Sequence, residues 1–301
     1  MGRTFDHLMD IVWLPDASRR PRDLAVGEFD GVHLGHREVI RGSDTVLTFE
    51  PHPRTVVAPD SAPKLLTSLE IKADLIAALG VEELVVIPFD GTFAAQSPQE
   101  FIDHVLVEQL GAERVSVGEN FRFGHRARGD AALLTEQRAF ETRVSRLVEL
   151  DGEIISSTHI RGLVAAGEVA TAARFLGAPF HMRGTIAHGD KRGRTLGFPT
   201  ANLVPDPRLV VPDHGIYACR AEIDGETHVA AVNVGVRPTF KTGRGLLVEA
   251  FLLDFERDVY GRELRLDFIE RLRGERRFES VEALVAQMGA DVEQTRRIAA
   301  R

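Results

Sequence analysis

The sequence predicts an α/β chain in two parts: a parallel β-sheet with crossover helices, then a small antiparallel β-barrel with a C-terminal helix. Three observations carry this. Strand-like and helix-like segments alternate through the first half. After His181 the pattern turns into strand-like runs separated by turn signals. The length of 301 residues and a hydrophobic content of 44% suit two packed domains.

The elements follow in order. DLAVGEF ends a first strand at Phe29, and TVLTFEP, VEELVVIPF and AERVSVGENF read as three more. Between the last three lie the helical patterns SLEIKADLIAAL and SPQEFIDHVLVEQL. Ser97, Pro98 and Glu100 form a capping box with proline at the first helical position. Strands alternating with helices predict parallel pairing. The segment REVIRGSDT between His36 and the next strand is short for a crossover, so the first helix is expected to be brief. Trp13 reads as a packing residue. From Leu163 an alanine-rich helical pattern runs to Gly177, and the domain boundary is expected near residues 178 to 183. RGTIAHG, GIYACRAEI, THVAAVNVG, LLVEAFLLDF and ELRLDFIERL then read as barrel strands. Phe278, Val281, Leu284, Val285, Met288 and Val292 fall at helical spacings, predicting a helix that covers one side of the barrel.

A formal net charge of -8 argues against a general nucleic-acid binder. The single cysteine, Cys219, permits no internal disulfide and fits a cytoplasmic location. No apolar run is long enough for a membrane span, and no signal peptide is expected.

Five stretches carry candidate chemistry. GEFDGVHLGH, Gly27 to His36, is a glycine-rich turn feeding a helix start, with His33 and His36 on one side. It suits a nucleotide phosphate; the plain alternative is a turn with two surface histidines. ISSTHIRGLV, Ile155 to Val164, places Ser156, Ser157 or Thr158 at a helix cap and Arg161 about one turn in. The alternative is an ordinary cap and a solvated arginine. GENFRFGHRARGD, Gly118 to Asp130, offers Phe121 and Phe123 as a wall for a flat ring, or else is a long surface loop. HGDKRGRTLGFPTANL, His188 to Leu203, combines Gly189, Gly193 and Gly197 with Lys191, Arg192 and Arg194. Its Thr200 and Asn202 are oxygen ligands suited to magnesium; the alternative is a basic hairpin loop. Finally, alternation in LLVEAFLLDF puts Glu249, Phe251 and Leu253 on one face, and Val248, Ala250 and Leu252 on the other. Glu249 could act as a general base, or pair with an arginine at the rim. His125, His159, His181 and His214 read as structural or exposed.

In this order the motifs resemble the bacterial bifunctional riboflavin kinase and FMN adenylyltransferase family, the FAD synthetases, from about Leu24 to Ile298. GEFDGVHLGH is similar to the family's first nucleotidyltransferase motif and ISSTHIR to its second. FEPHP (Phe49 to Pro53) and GENFRFGHRARGD match in kind and order. HGDKRGRTLGFPTANL is close to the flavokinase signature, and GIYA, NVGVRPTF and LLDFERDVYGREL follow. The resemblance implies a Rossmann-like nucleotidyltransferase domain over residues 1–180 and a six-stranded flavokinase-like barrel over 181–301. It implies phosphorylation of riboflavin to FMN, then adenylylation of FMN to FAD, with ATP as co-substrate and Mg2+ as cofactor. His33, His36, Arg161 and Glu249 become the catalytic candidates, and Thr200 and Asn202 the metal ligands. ATP and phosphate contacts fall to Gly27, Phe29, Gly31, Gly35, Ser157, Thr158, Gly189, Lys191, Gly193 and Arg194. Flavin contacts fall to Asn120, Phe121, Phe123 and Arg237. The partners implied are small molecules, with neither nucleic acid nor membrane; oligomerisation is left open.

The chain departs from the family pattern in three places. Glu28 stands where a small polar residue is usual, the segment after His36 is short, and Phe251 stands where histidine is common. A kinase with a degenerate N-terminal domain, and a flavin-sensing module without turnover, are the alternatives.

Overall fold

A computed structural model describes residues 9–187, 200–237 and 245–299. Contacts divide the chain into two units, Met1–Ser157 and Thr158–Arg301. This division falls ahead of the boundary expected from sequence.

In the first unit six strands form one parallel sheet: β1 (Asp10–Trp13), β2 (Arg22–Val26), β3 (Thr45–Glu50), β4 (Glu83–Pro88), β5 (Ala112–Gly118) and β6 (Glu141–Ser145). Their order is β1-β4-β3-β2-β5-β6. Both faces are covered, as a parallel sheet requires. Leu24, Val26, Leu47, Phe49, Val85 and Ile87 point into one core layer with Phe101, Ile102 and Val105. Ala25, Val46, Leu84 and Val86 point into the other, with Val39, Ile40, Ala73 and Ile76. The second layer is supplied by α1 (Leu34–Ile40) and α3 (Leu69–Ala77), with the short α2 (Pro53–Val57) between them in the chain. The Ser97–Glu100 capping box forms as predicted and opens α4 (Pro98–Glu100), which runs on into a π-helical stretch, Phe101–Gln109. Arg22 on β2 is fully buried and pairs with Glu83 on β4 at 2.7 Å. Burial would raise the Glu83 pKa, but the hydrogen bond and charge of Arg22, with Arg20 and Thr45, hold it below the usual carboxylate value.

Three expectations are corrected here. β2 stops at Val26, not Phe29, because Phe29 and Val32 both take positive φ and leave the strand geometry. The β2–β3 connection therefore starts at Gly27 and is long enough for a parallel crossover, with α1 as brief as expected. β1 and β6, the two edge strands, were not predicted. Trp13 lies on β1 and is 41% exposed, so it stands outside the buried core.

The second unit opens with α5 (Ser157–Ala165, starting at the last residue of the first unit) and α6 (Val169–Leu176). The barrel strands are β7 (Phe180–Ala187), β8 (Thr200–Leu203), β9 (Gly215–Ile223), β10 (Glu226–Arg237), β11 (Gly245–Leu252) and β12 (Glu263–Arg273). They close in the order β7-β8-β11-β10-β9-β12, with β12 pairing back onto β7. Ala201, Leu203, Val232, Val234, Val248 and Ala250 are buried on alternate positions and fill the interior. α7 (Val281–Ala299) packs on β9, β10 and β12, fixed by Arg273 to Asp291 at 2.7 Å. The six-stranded closure agrees with the resemblance. β8 itself was unmarked in the sequence, where Thr200 and Asn202 read as part of a loop.

Candidate active sites

The first site forms where β2 ends. Two residues after Gly27 stands Phe29, whose ring folds back so that a Cβ at Gly27 would lie 2.9 Å from it. Phe29 (φ 50) and Val32 (φ 41) hold left-handed conformations that cost energy for such side chains. Neighbouring bonds hold this strained loop. The buried Asp30 carboxylate accepts from the amides of Leu66 and Thr67 and from the Thr67 hydroxyl. Thr67 Oγ1 in turn accepts from the Gly31 amide at 3.1 Å. Ser157 Oγ donates to the Asp30 carbonyl at 3.0 Å, so the start of the second motif is bound to the first.

His33 and His36 stack, their ring centroids 3.5 Å apart. His33 Nδ1 accepts from the His36 amide and caps α1. A neutral His33 with Nδ1 accepting carries its proton on Nε2. A Cβ at Gly35 would crowd the His33 ring, at 3.3 Å. Burial, then the charges of His33 and Lys72, hold the His36 pKa well below its ordinary value. His36 is therefore neutral at pH 7, and its shielded Nδ1 has no hydrogen-bond partner among the described residues.

Glu28 turns to His52, with 2.6 Å between Oε2 and Nε2. His52 Nδ1 accepts from the Arg54 amide and caps α2, so Nε2 carries the proton given to Glu28. The departure at Glu28 is thus matched by the histidine of FEPHP.

The remaining candidates of this group distribute as follows. The Phe29 ring is buried and meets the His36 ring edge-on, their centroids 5.4 Å apart. Phe121 and Phe123 stack at 5.5 Å; Phe123 is buried in the core, Phe121 is half-buried and Asn120 is exposed. Arg161 donates to Thr158 Oγ1 at 3.1 Å within α5.

The second site lies on the barrel wall. Asn202 on β8 is the register partner of Glu249 on β11, and Glu249 is the partner of Asn233 on β10. Thr200 is likewise opposite Phe251. Register partners face the same side of a sheet. Thr200, Asn202, Glu249, Phe251 and Asn233 therefore share one outward face, as alternation predicted for Glu249 and Phe251. Leu253 lies past the end of β11 and is buried, so it does not extend that row. Gly189, Lys191, Gly193 and Arg194 lie outside the described residues, as does the side chain of Arg237, the last residue of β10. Among the described residues no His, Cys, Asp or Glu cluster forms a metal cage. The oxygens of Thr200 and Asn202 fit a hard cation that draws its other ligands from phosphate and water.

Two residues of these sites were not among the candidates. Asn233 interrupts a valine-rich strand, a poor β-former at a position that alternation turns outward. Lys72 interrupts the apolar face of α3 and is buried. Both breaks in pattern are visible in the sequence.

Together these features define a nucleotidyltransferase-type sheet domain fused to a flavokinase-type barrel. Residues 16–159 match the FAD synthetase family model and residues 176–299 the riboflavin kinase model. A bifunctional riboflavin kinase/FMN adenylyltransferase of Listeria monocytogenes is 40% identical over 287 residues, covering 91% of each chain. The protein of the same description from Escherichia coli K12 is 39% identical, over 89% of this chain and 90% of its own. The chain belongs to the bifunctional riboflavin kinase/FMN adenylyltransferase family, whose members use ATP. A solved structure described as a macrolide-efflux protein from Streptococcus pneumoniae superposes with a TM-score of 0.87 at 31% identity, over 96% of this chain and 99% of that one. Among the described residues no helix is long and apolar enough to cross a membrane.

Proposed function

We propose that the barrel unit phosphorylates riboflavin to FMN and the sheet unit adenylylates FMN to FAD, each with ATP. The observation that carries this reading is the row Asn202, Glu249, Asn233, set side by side by strand register. In the barrel, Glu249 takes the proton of the ribityl hydroxyl as its oxygen bonds to the γ-phosphorus and the bond to ADP breaks. Thr200 and Asn202 would hold Mg2+, which supplies charge neutralisation for the transferring phosphoryl group. Gly189, Lys191, Gly193 and Arg194 cradle the phosphates, and Arg237 contacts the flavin.

In the sheet unit, an FMN phosphate oxygen attacks the α-phosphorus and pyrophosphate leaves. His33 and His36 donate hydrogen bonds to the developing charge, with Arg161 as the cationic arm. The backbone of Gly27, Phe29, Gly31 and Gly35, with Ser157 and Thr158, orients the triphosphate. Asn120 and Phe121 meet the flavin, with Phe123 behind them. Residues 1–180 and 181–301 are the two functional domains in this reading. The partners are small molecules rather than nucleic acid or membrane, and the location is cytoplasmic.

A chromatographic time course with riboflavin and magnesium-ATP tests it. FMN appearing first and FAD following is the expected result. FMN accumulating alone would reduce the chain to a kinase, and no product at all would overturn both activities in favour of a sensor.

A further inference from the structure

Beneath the glycine loop lies a lysine that the mechanism above does not use. Lys72 sits on α3 between the buried Ile71 and Ala73 and is only 6% exposed. Its ammonium donates to Thr48 Oγ1 on β3 at 3.3 Å, and that hydroxyl donates to the Glu28 carbonyl at 3.2 Å. A lysine ammonium out of water is costly unless charges around it compensate. Burial lowers its pKa, and the carboxylates of Asp30, Glu50 and Glu28 oppose that. Asp30 and Glu28 belong to the loop itself, and Glu50 ends β3. On the other side, its charge acts on His36, which also faces His33. Glu28 is held by His52. Lys72 is thus the cation shared by three acids and the stacked histidine pair.

We propose that Lys72 is a positioning residue for adenylyl transfer. Its buried ammonium joins α3 and β3 to the floor of the glycine loop and fixes the charge against which the two imidazoles work. It acts through the loop and not by contact with substrate. The inference rests on the assignment of FMN adenylylation to this unit. Removing this cation alone leaves three carboxylates without it, which costs stability in itself. A structural role would therefore show as lost stability, with KM for ATP and the His36 titration unmoved in the folded variant.

The test compares wild type, Lys72→Met and Lys72→Arg in FMN adenylylation, with His36 followed by imidazole NMR through its titration. Lys72→Met should raise KM for ATP by on the order of tenfold to a hundredfold. It should also move the His36 titration to higher pH, because a positive charge near the ring has gone. Lys72→Arg, which keeps the charge, should restore most of both. An unchanged KM, or an unmoved His36 titration, in a folded Lys72→Met protein overturns the proposal. If that variant loses cooperative unfolding, Thr48→Val decides. It removes the ammonium's partner, and should shift KM in the same direction; no shift overturns the proposal. Wild type that converts no FMN defeats the functional assignment, and this role falls with it. Active wild type beside an unaffected Lys72→Met defeats this role alone.

Discussion

In the sheet unit the candidate residues hang on the connection between β2 and β3, where two apolar residues take positive φ. In the barrel unit they stand on adjacent strands as register partners. The loop site needs outside restraint. Asp30, Thr67, Ser157 and the caps made by His33 and His52 supply it, each with a hydrogen bond to backbone. The strand site needs little, because the ladder that closes the barrel also sets Asn202 beside Glu249. A loop site is therefore exposed to changes some distance away, while a strand site is broken mainly by changing its own side chains.

That contrast can be broken in several ways, the largest effect first. Glu249→Gln should lower FMN formation by about 10²- to 10⁴-fold, the range for a general base, with FMN-to-FAD conversion retained. Equal loss of both activities in assays run separately from riboflavin and from FMN would erase the division between the units. His36→Ala should do the reverse, lowering FAD formation by about 10²- to 10³-fold with the kinase unaffected. Unchanged FAD output would remove the histidine from the chemistry.

A matched pair of glycines sharpens the comparison. In Gly27→Ala the new methyl would meet the Phe29 ring at 2.9 Å, and in Gly184→Ala the Val204 carbonyl at 2.7 Å. Each should destabilise its own unit by about 1–3 kcal/mol by overpacking, read by denaturant unfolding. Only Gly27→Ala should also damage FAD formation, because Phe29 is part of the loop.

A last effect is on pH, small near neutrality and growing as pH falls. Burial, then the charges of Arg265 and Arg183, pushes the His181 pKa down to about 3. The unfolded chain takes up a proton there near pH 6.5, while the folded barrel does not. Barrel stability is thus full above that pH and falls as pH drops toward the folded value, by at most about 1.4 kcal/mol per pH unit. His181→Gln should flatten the acid limb of a stability profile; an unchanged slope would mean that other groups set it.

Much of this was legible in the sequence. Strands with continuous apolar runs or clean alternation were found, and so was the Ser97 capping box. The edge strands β1 and β6 carry no long apolar run and no clean alternation, because no residue of either is fully buried and Ile11, Trp13 and Val144 are exposed. The apolar Phe29 carries the strand pattern past the true end of β2, because hydropathy holds no record of φ. Glu249 was placed on its face by alternation, but its neighbours Asn202 and Asn233 come from register, which one sequence does not specify. The His52 partner of Glu28 lies on another loop and has no periodicity to mark it.

The barrel's closure has a consequence for synthesis. Its first strand, Phe180–Ala187, pairs with its last, Glu263–Arg273. A chain emerging from the ribosome cannot finish the barrel until that last strand is out, whereas every strand of the parallel sheet precedes residue 158. The first unit is free to fold while the second is still being translated, and the slow, long-range pairing comes at the end.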